Sequence, residues 1–251
     1  MKIDWLKSLL LLGALATQSH AIFGIGMHWA PAPGLEVKAS KDTIAQGINH
    51  TVLLDEKGLS GVQGFGLKLW LDALPLVDVE VTGNLQFGYY DVALQSSSAT
   101  SSTPVSFDLG VPGLEGKPFF ARAYGDAAVL YPFLKFPPLV NLIKIYAGGG
   151  LSYGTATPIV TPKFAKDALT KANYDATTQD DVAAAQIIVK AAENADFETG
   201  LGWFLQLGAH AKLPILPIVA YADLKYAFPG TNPALVDGDG LTLELGGGLA
   251  F

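Results

Sequence analysis

From residue 22 onward the chain keeps returning to strict alternation, one apolar position followed by one polar or small position, which is the period of a strand with two unlike faces. The last eleven residues show it most plainly. Leu241, Leu243, Leu245, Leu249 and Phe251 fall on one face, and Thr242, Glu244, Gly246, Gly248 and Ala250 on the other. Residues 77–90 repeat the scheme, with Val77, Val79, Val81, Leu85, Phe87 and Tyr89 opposing Asp78, Glu80, Thr82, Asn84, Gln86 and Gly88. Six further stretches, 22–30, 61–72, 119–131, 142–153, 197–213 and 218–228, carry the same alternation, the third of them (119–131) diluted by alanine. Eight strands are therefore expected, each near or above the roughly 9 to 11 residues that a tilted strand needs to cross a bilayer. Residues 34–40 and 50–54 are strand-like enough to leave ten strands open.

The connections fall into two kinds, in alternation. Strands two to three, four to five and six to seven are joined by short proline-bearing segments around Pro75, Pro137–Pro138 and Pro214–Pro217, and proline ends a strand because it has no N–H for the ladder. The other four connections, near residues 31–60, 95–117, 155–196 and 229–239, are longer and richer in Ser, Thr, Asn, Asp and Gly. Short turns on one side and long loops on the other is the pattern of an even-stranded barrel with both termini at the short-turn side. In the third long loop, Thr161–Pro162 predicts a capped helix to about Ala172. Thr178 to Asp181 reads as a capping box for a second helix, running to about Glu193 with an apolar stripe of Val182, Ala185, Ile188, Val189 and Ala192.

Composition sharpens this picture. Half the residues are hydrophobic and 16% are charged, against a usual charged share of about 25%, yet after the first residues no stretch is apolar for long enough to form a transmembrane helix. Residues 1–21 read as a signal peptide, with Lys2 and Lys7, an apolar core from Ser8 to Ala16 and a small-x-small site at Ser19-His20-Ala21. That divides the chain into a leader, 1–21, and one barrel domain, 22–251. Loss of the leader leaves 14 basic and 22 acidic residues, a formal charge of −8, which argues against nucleic acid as a partner. With no cysteine, disulfides and thiolate metal sites are excluded.

The terminal strand ending in Phe251, the export signal and the loop asymmetry together resemble the small outer-membrane β-barrels of Gram-negative bacteria, such as the OmpA transmembrane domain, OmpX and OmpW groups. The resemblance is architectural, covers nearly all of the chain after the leader, and rests on no motif specific to one group. It implies an antiparallel transmembrane barrel in the outer membrane, contact with outer-membrane lipid, and recognition of the strand ending in Phe251 by the barrel assembly machinery. A secreted soluble barrel would alternate too, with the greasy face inward. Glycine crowding on the polar face (Gly24, Gly26, Gly64, Gly66, Gly148, Gly150, Gly246, Gly248) suits a cramped lumen better than a solvated exterior.

With lipid outside, the residues expected to face the lumen and pair in a polar network are Lys68, Asp72, Asp78, Glu80, Arg122, Asp126, Lys144, Glu198, Lys212, Asp223, Lys225 and Glu244, because an unpaired enclosed charge is costly. After the leader the histidines are His28, His50 and His210, scattered without metal-ligand spacing, and neither a phosphate-binding loop nor a dinucleotide fingerprint is present. No metal, cofactor or catalytic residue is assigned. An esterase or acyltransferase would need a Ser or Asp placed beside a His, and nothing in the sequence fixes a nucleophile. The expected role is non-enzymatic, structural or interacting, in the cell envelope. The alternatives are a narrow channel or carrier gated by the helical loop, and a soluble ligand-binding barrel.

Overall fold

A computed structural model describes residues 23–48, 50–72, 76–96, 102–105, 118–136, 142–213, 216–228 and 240–251. The leader expected at 1–21 and the loop at 229–239 lie outside the described residues, as do parts of the three proline-bearing turns and most of 95–117.

Among the described residues there are eleven strands: β1 (Phe23–Trp29), β2 (Ser40–Gln46), β3 (Thr51–Leu59), β4 (Gln63–Leu71), β5 (Asp78–Ser96), β6 (Ser102–Pro104), β7 (Phe119–Phe136), β8 (Ile143–Ala156), β9 (Glu198–Lys212), β10 (Ile218–Ala227) and β11 (Gly240–Ala250). Two helices, α1 (Pro162–Lys171) and α2 (Asp181–Glu193), lie between β8 and β9. Eight strands pair antiparallel in the ring β1–β4–β5–β7–β8–β9–β10–β11, which closes where Gly24 meets Ala250 and His28 meets Gly246. These eight are the strands that the alternation outlines. Neither helix is long and apolar enough to cross a membrane; the strands provide the crossing.

Side-chain direction follows from the pleat, since successive residues point to opposite faces. On β9, Leu201, Trp203, Leu205 and Leu207 point out of the barrel, and Phe204, Gln206 and His210 point in. On β11, Glu244 is 0% exposed and its neighbour Leu245 is 38% exposed. The greasy side chains thus form the exterior, as a barrel in hydrocarbon requires and a water-soluble one does not. Phe23, Tyr131, Phe133, Phe136 and Phe251 are exposed towards one rim, and Trp29, Tyr89, Tyr153 and Trp203 towards the other, where amphipathic rings favour the lipid–water interface.

The strand-like segments of the first long loop do form strands, β2 and β3, but they do not widen the barrel to ten. They pair with each other, and β3 pairs with the outer end of β5, Val52 opposite Ser96 and Leu59 opposite Tyr90. Strand β6 pairs with the other edge of that end. The reason lies in β5, whose inward face is polar from Asp78 to Gln86 and becomes apolar at Tyr90, Val92 and Leu94. The reversal marks the level at which the strand leaves lipid. Above it the outside is water, so the apolar face must turn inward, and it builds a second core.

That core gathers Leu35 from the segment before β2, Ile44, Val52, Leu54, Leu59, Val92 and Leu94 from the small sheet, Phe120 and Ala156 from the barrel rim, and Ala165, Leu169, Ala184 and Ile188 from the helices. The result is a folded head on the outer rim of the barrel. Helix α1 starts as its sequence indicates, with the Thr161 hydroxyl accepting from the Phe164 N–H at 3.2 Å and proline at the first position. Helix α2 starts two residues later than the expected box. Asp180 is its cap, accepting from the Ala183 N–H at 2.9 Å, while the Thr178 hydroxyl is drawn back to Asp175. Within the helix Ala184 and Ile188 are buried, and Val182, in its exposed first turn, is not part of the buried stripe.

Candidate functional site

The barrel lumen is where charged side chains converge. Its centre is Lys68, fully buried on β4 opposite Gly26 and Thr82. Its ammonium is ion-paired with Asp223, lies 3.1 Å from Glu80 and 3.7 Å from Glu244, and sits 4.4 Å over the ring of Tyr221. Three carboxylates converging on one point is a geometry that holds a cation, and here the cation is supplied by the chain.

A second ammonium, Lys225, lies 2.8 Å from Glu244 and 2.9 Å from Asp126, and donates to the Thr82 hydroxyl at 2.9 Å. The neutral groups link the two centres. Tyr146 donates to Asp223 at 2.5 Å, Gln206 donates to Glu80 at 2.9 Å and to Asp223 at 3.0 Å, and Asn84 donates to Glu244 at 3.3 Å. His28 lies 2.6 Å from Asn84 Oδ1 and 3.3 Å from the Tyr221 hydroxyl. Nearer the short-turn rim, Lys144 bridges Asp72 (2.9 Å) and Asp78 (2.8 Å). Arg122 donates to Gln86 at 2.6 Å and lies 4.9 Å from the Tyr124 ring.

Of the twelve residues expected in a lumenal network, Lys68, Asp78, Glu80, Arg122, Asp126, Lys144, Asp223, Lys225 and Glu244 are buried in the barrel. Asp72, just past β4, is half-buried and joins through Lys144. Glu198 is not enclosed: it begins β9 at the outer rim and is exposed. Lys212 ends the same strand at the opposite rim, half-buried. Both keep the inward parity of β9, but parity encloses a side chain only where a facing wall exists. Missing from the expected set were the neutral partners Asn84, Gln86, Tyr146 and Gln206 and the histidines, whose signal was their place on the polar face.

An aromatic layer lies in the lumen beside the charges. His210 stands edge-on to Tyr146 (4.9 Å between centroids) and Trp70 (5.3 Å), with Tyr221 5.7 Å away. Glycine makes the packing feasible. A Cβ at Gly208 would collide with the Asp223 carboxylate and the Tyr146 ring, and one at Gly66 with the Asn84 and His28 side chains. The space left beside Arg122, Asp126, Ser152 and Lys225 is about 30 Å³, room for about one or two waters.

No family model and no curated protein matches this chain. Among solved structures it is similar to the outer membrane protein OprG from Pseudomonas aeruginosa, at 14% identity and a TM-score of 0.50, over 91% of this chain and 95% of that one. It also aligns with Ail, the attachment invasion locus protein of Yersinia pestis, at 12% identity and a TM-score of 0.39, over 91% and 97%. The likeness to OprG is one of fold. With the ring closed, its exterior apolar and its charges enclosed, the chain is an eight-stranded antiparallel β-barrel of the small outer-membrane type.

Proposed function

We propose that the barrel is a closed anchor in the outer membrane, reached after removal of the leader at 1–21 and assembled through the strand ending in Phe251, and that its role is structural or interacting: it holds the folded head at the cell surface. The observation that carries this reading is the filled lumen, in which Lys68 is enclosed by Asp223, Glu80 and Glu244 with the Trp70, Tyr146, His210 and Tyr221 rings packed alongside. Eight strands enclose a space that side chains can just fill. A conduit needs continuous water, and the cavity beside Arg122 takes about 30 Å³. The head, by contrast, has its own core and presents the outward faces of β2, β3, α1 and α2.

Planar-bilayer recording on the folded protein tests this. No stable conductance is expected over ±100 mV or so, whereas discrete unitary steps, or swelling of liposomes in small sugars, would replace the anchor with the channel reading. Fractionation with and without boiling before electrophoresis tests the location, through a membrane-bound band of heat-modifiable mobility.

A further inference from the structure

Three lumenal cations are matched by carboxylates and the fourth is not. Lys68, Lys144 and Lys225 each lie within ion-pair distance of two or three carboxylates. Arg122, 4% exposed, has no such partner among the described residues. Its Nε donates to Gln86 at 2.6 Å and its guanidinium lies 4.9 Å from the Tyr124 ring, which leaves the donors of both terminal nitrogens without an acceptor among those residues. An enclosed charge keeps its desolvation cost until an opposite charge meets it.

The guanidinium faces a small cavity in the outer half of the lumen. A space of about 30 Å³ is lined by Arg122, Tyr124 and Asp126 on β7, Ser152 on β8, Lys225 on β10 and Thr242 on β11. Ser152 and Thr242 are buried and make no hydrogen bond through their hydroxyls to another described residue, and the buried Tyr124 hydroxyl has no hydrogen-bond partner. A guanidinium and three hydroxyls therefore bring unused donors to one cavity. Two of its charged walls are positive, Arg122 and Lys225, and one is negative, Asp126. The Lys225 ammonium is turned towards Asp126 Oδ2 at 2.9 Å and Glu244 at 2.8 Å, so Arg122 is the cation left to bind. Asp126 Oδ1 has no hydrogen-bond partner, and a water donating to it separates it from an anion. Hydroxyl oxygens and a carboxylate would also suit a cation, but a cation here would stand against the unpaired guanidinium. The space takes one ion of chloride size and about one water. Ala227 and Gly240, where β10 ends and β11 begins, also border it, which sets it next to the outer mouth of the barrel.

We propose that this cavity binds one monovalent anion of chloride size, held by the Arg122 guanidinium and the Tyr124, Ser152 and Thr242 hydroxyls, with a water between the ion and Asp126. The anion is the counter-ion that Arg122 lacks within the chain, and it makes the stability of the folded barrel depend on chloride. The site needs no continuous water, so it is independent of whether the lumen conducts.

The test unfolds the full chain in lipid vesicles with urea at constant ionic strength while sodium gluconate, whose anion is too large for the cavity, is exchanged for sodium chloride. A ligand held only by the folded state raises the unfolding free energy once its concentration exceeds its dissociation constant. The unfolding midpoint is expected to rise with chloride and with bromide and to stay level in gluconate. Ser152→Ala, which removes one donor, should raise the chloride concentration at which the rise begins by roughly 10-fold. Arg122→Gln should abolish the dependence, and Lys163→Gln, on the exposed face of α1, should leave it as in the native protein. Crystals of the unaltered protein grown in sodium bromide supply a readout that needs no variant to fold: an anomalous-scattering peak is expected within hydrogen-bond reach of the Arg122 guanidinium. A midpoint indifferent to chloride, a chloride dependence that survives Arg122→Gln, or bromide crystals with no peak in the cavity overturns the site.

Discussion

Lys68 is the residue on which the barrel interior depends most. Its ammonium is fully buried among three carboxylates, and truncating one partner of a buried ion pair costs about 3 to 5 kcal/mol because the other partners keep their desolvation penalty. Lys68→Met is therefore expected to lower the unfolding free energy in lipid vesicles by about 3 to 5 kcal/mol. Adding Asp223→Asn should restore part of that loss, since it removes one of the stranded charges. A double variant weaker than the single one would place the stabilising partner of Lys68 elsewhere. That a lysine sits inside was legible from its place in the alternation on β4. Which carboxylates it would meet was not, because β10 and β11 reach it only through barrel closure.

At the scale of the element, alternation did most of the work for the transmembrane strands, and each strand carries its own test. Leu205 stands at the middle of β9, pointing outward. Arginine there places a charge in hydrocarbon, so Leu205→Arg should cost about 2 to 4 kcal/mol by chemical unfolding in lipid; the same change at the exposed Glu198 should cost far less.

The head strands obey a different rule. Glu56 on β3 is buried, with one carboxylate oxygen 3.1 Å from the Ser40 hydroxyl and the other without a hydrogen-bond partner. Burial lifts its carboxyl above the ordinary glutamate value of 4.5, against the pull of Ser40. A raised value means that the folded head favours the protonated form. The stabilisation from proton uptake is thus full below pH 4.5 and is lost as the pH rises through the raised value. Limited proteolysis of the head should accordingly become faster across that window in the native protein, and Glu56→Gln, neutral throughout, should flatten the profile and slow cleavage at pH 7.

Across the whole molecule the same chain is solvated by two media, and β5 shows both. Its inward side chains change from Asp78, Glu80 and Gln86 to Tyr90, Val92 and Leu94 as its surroundings change from lipid to water. The barrel encloses polarity and the head encloses hydrocarbon, so the charge network and the head core are separate units on one continuous strand. If the aromatic layer closes the lumen, then the paired change Trp70→Ala and Tyr146→Ala should admit measurable ion current in a planar bilayer under conditions where the native protein is silent. A current equal in both would locate the barrier elsewhere in the lumen.

The sequence by itself determined the eight transmembrane strands, the face each turns to lipid, the two helices and most of the enclosed charges, because a period of two in a chain exposed to hydrocarbon leaves few alternatives. Only the tertiary structure decided that β2 and β3 join a head rather than the barrel, that α2 begins at Asp181, that Glu198 stays outside, and that Arg122 meets Gln86 rather than a carboxylate. Those outcomes depend on contacts between residues far apart in the chain, which local periodicity does not encode: a strand's alternation says which way its side chains point, and only its neighbours in space say what they point at.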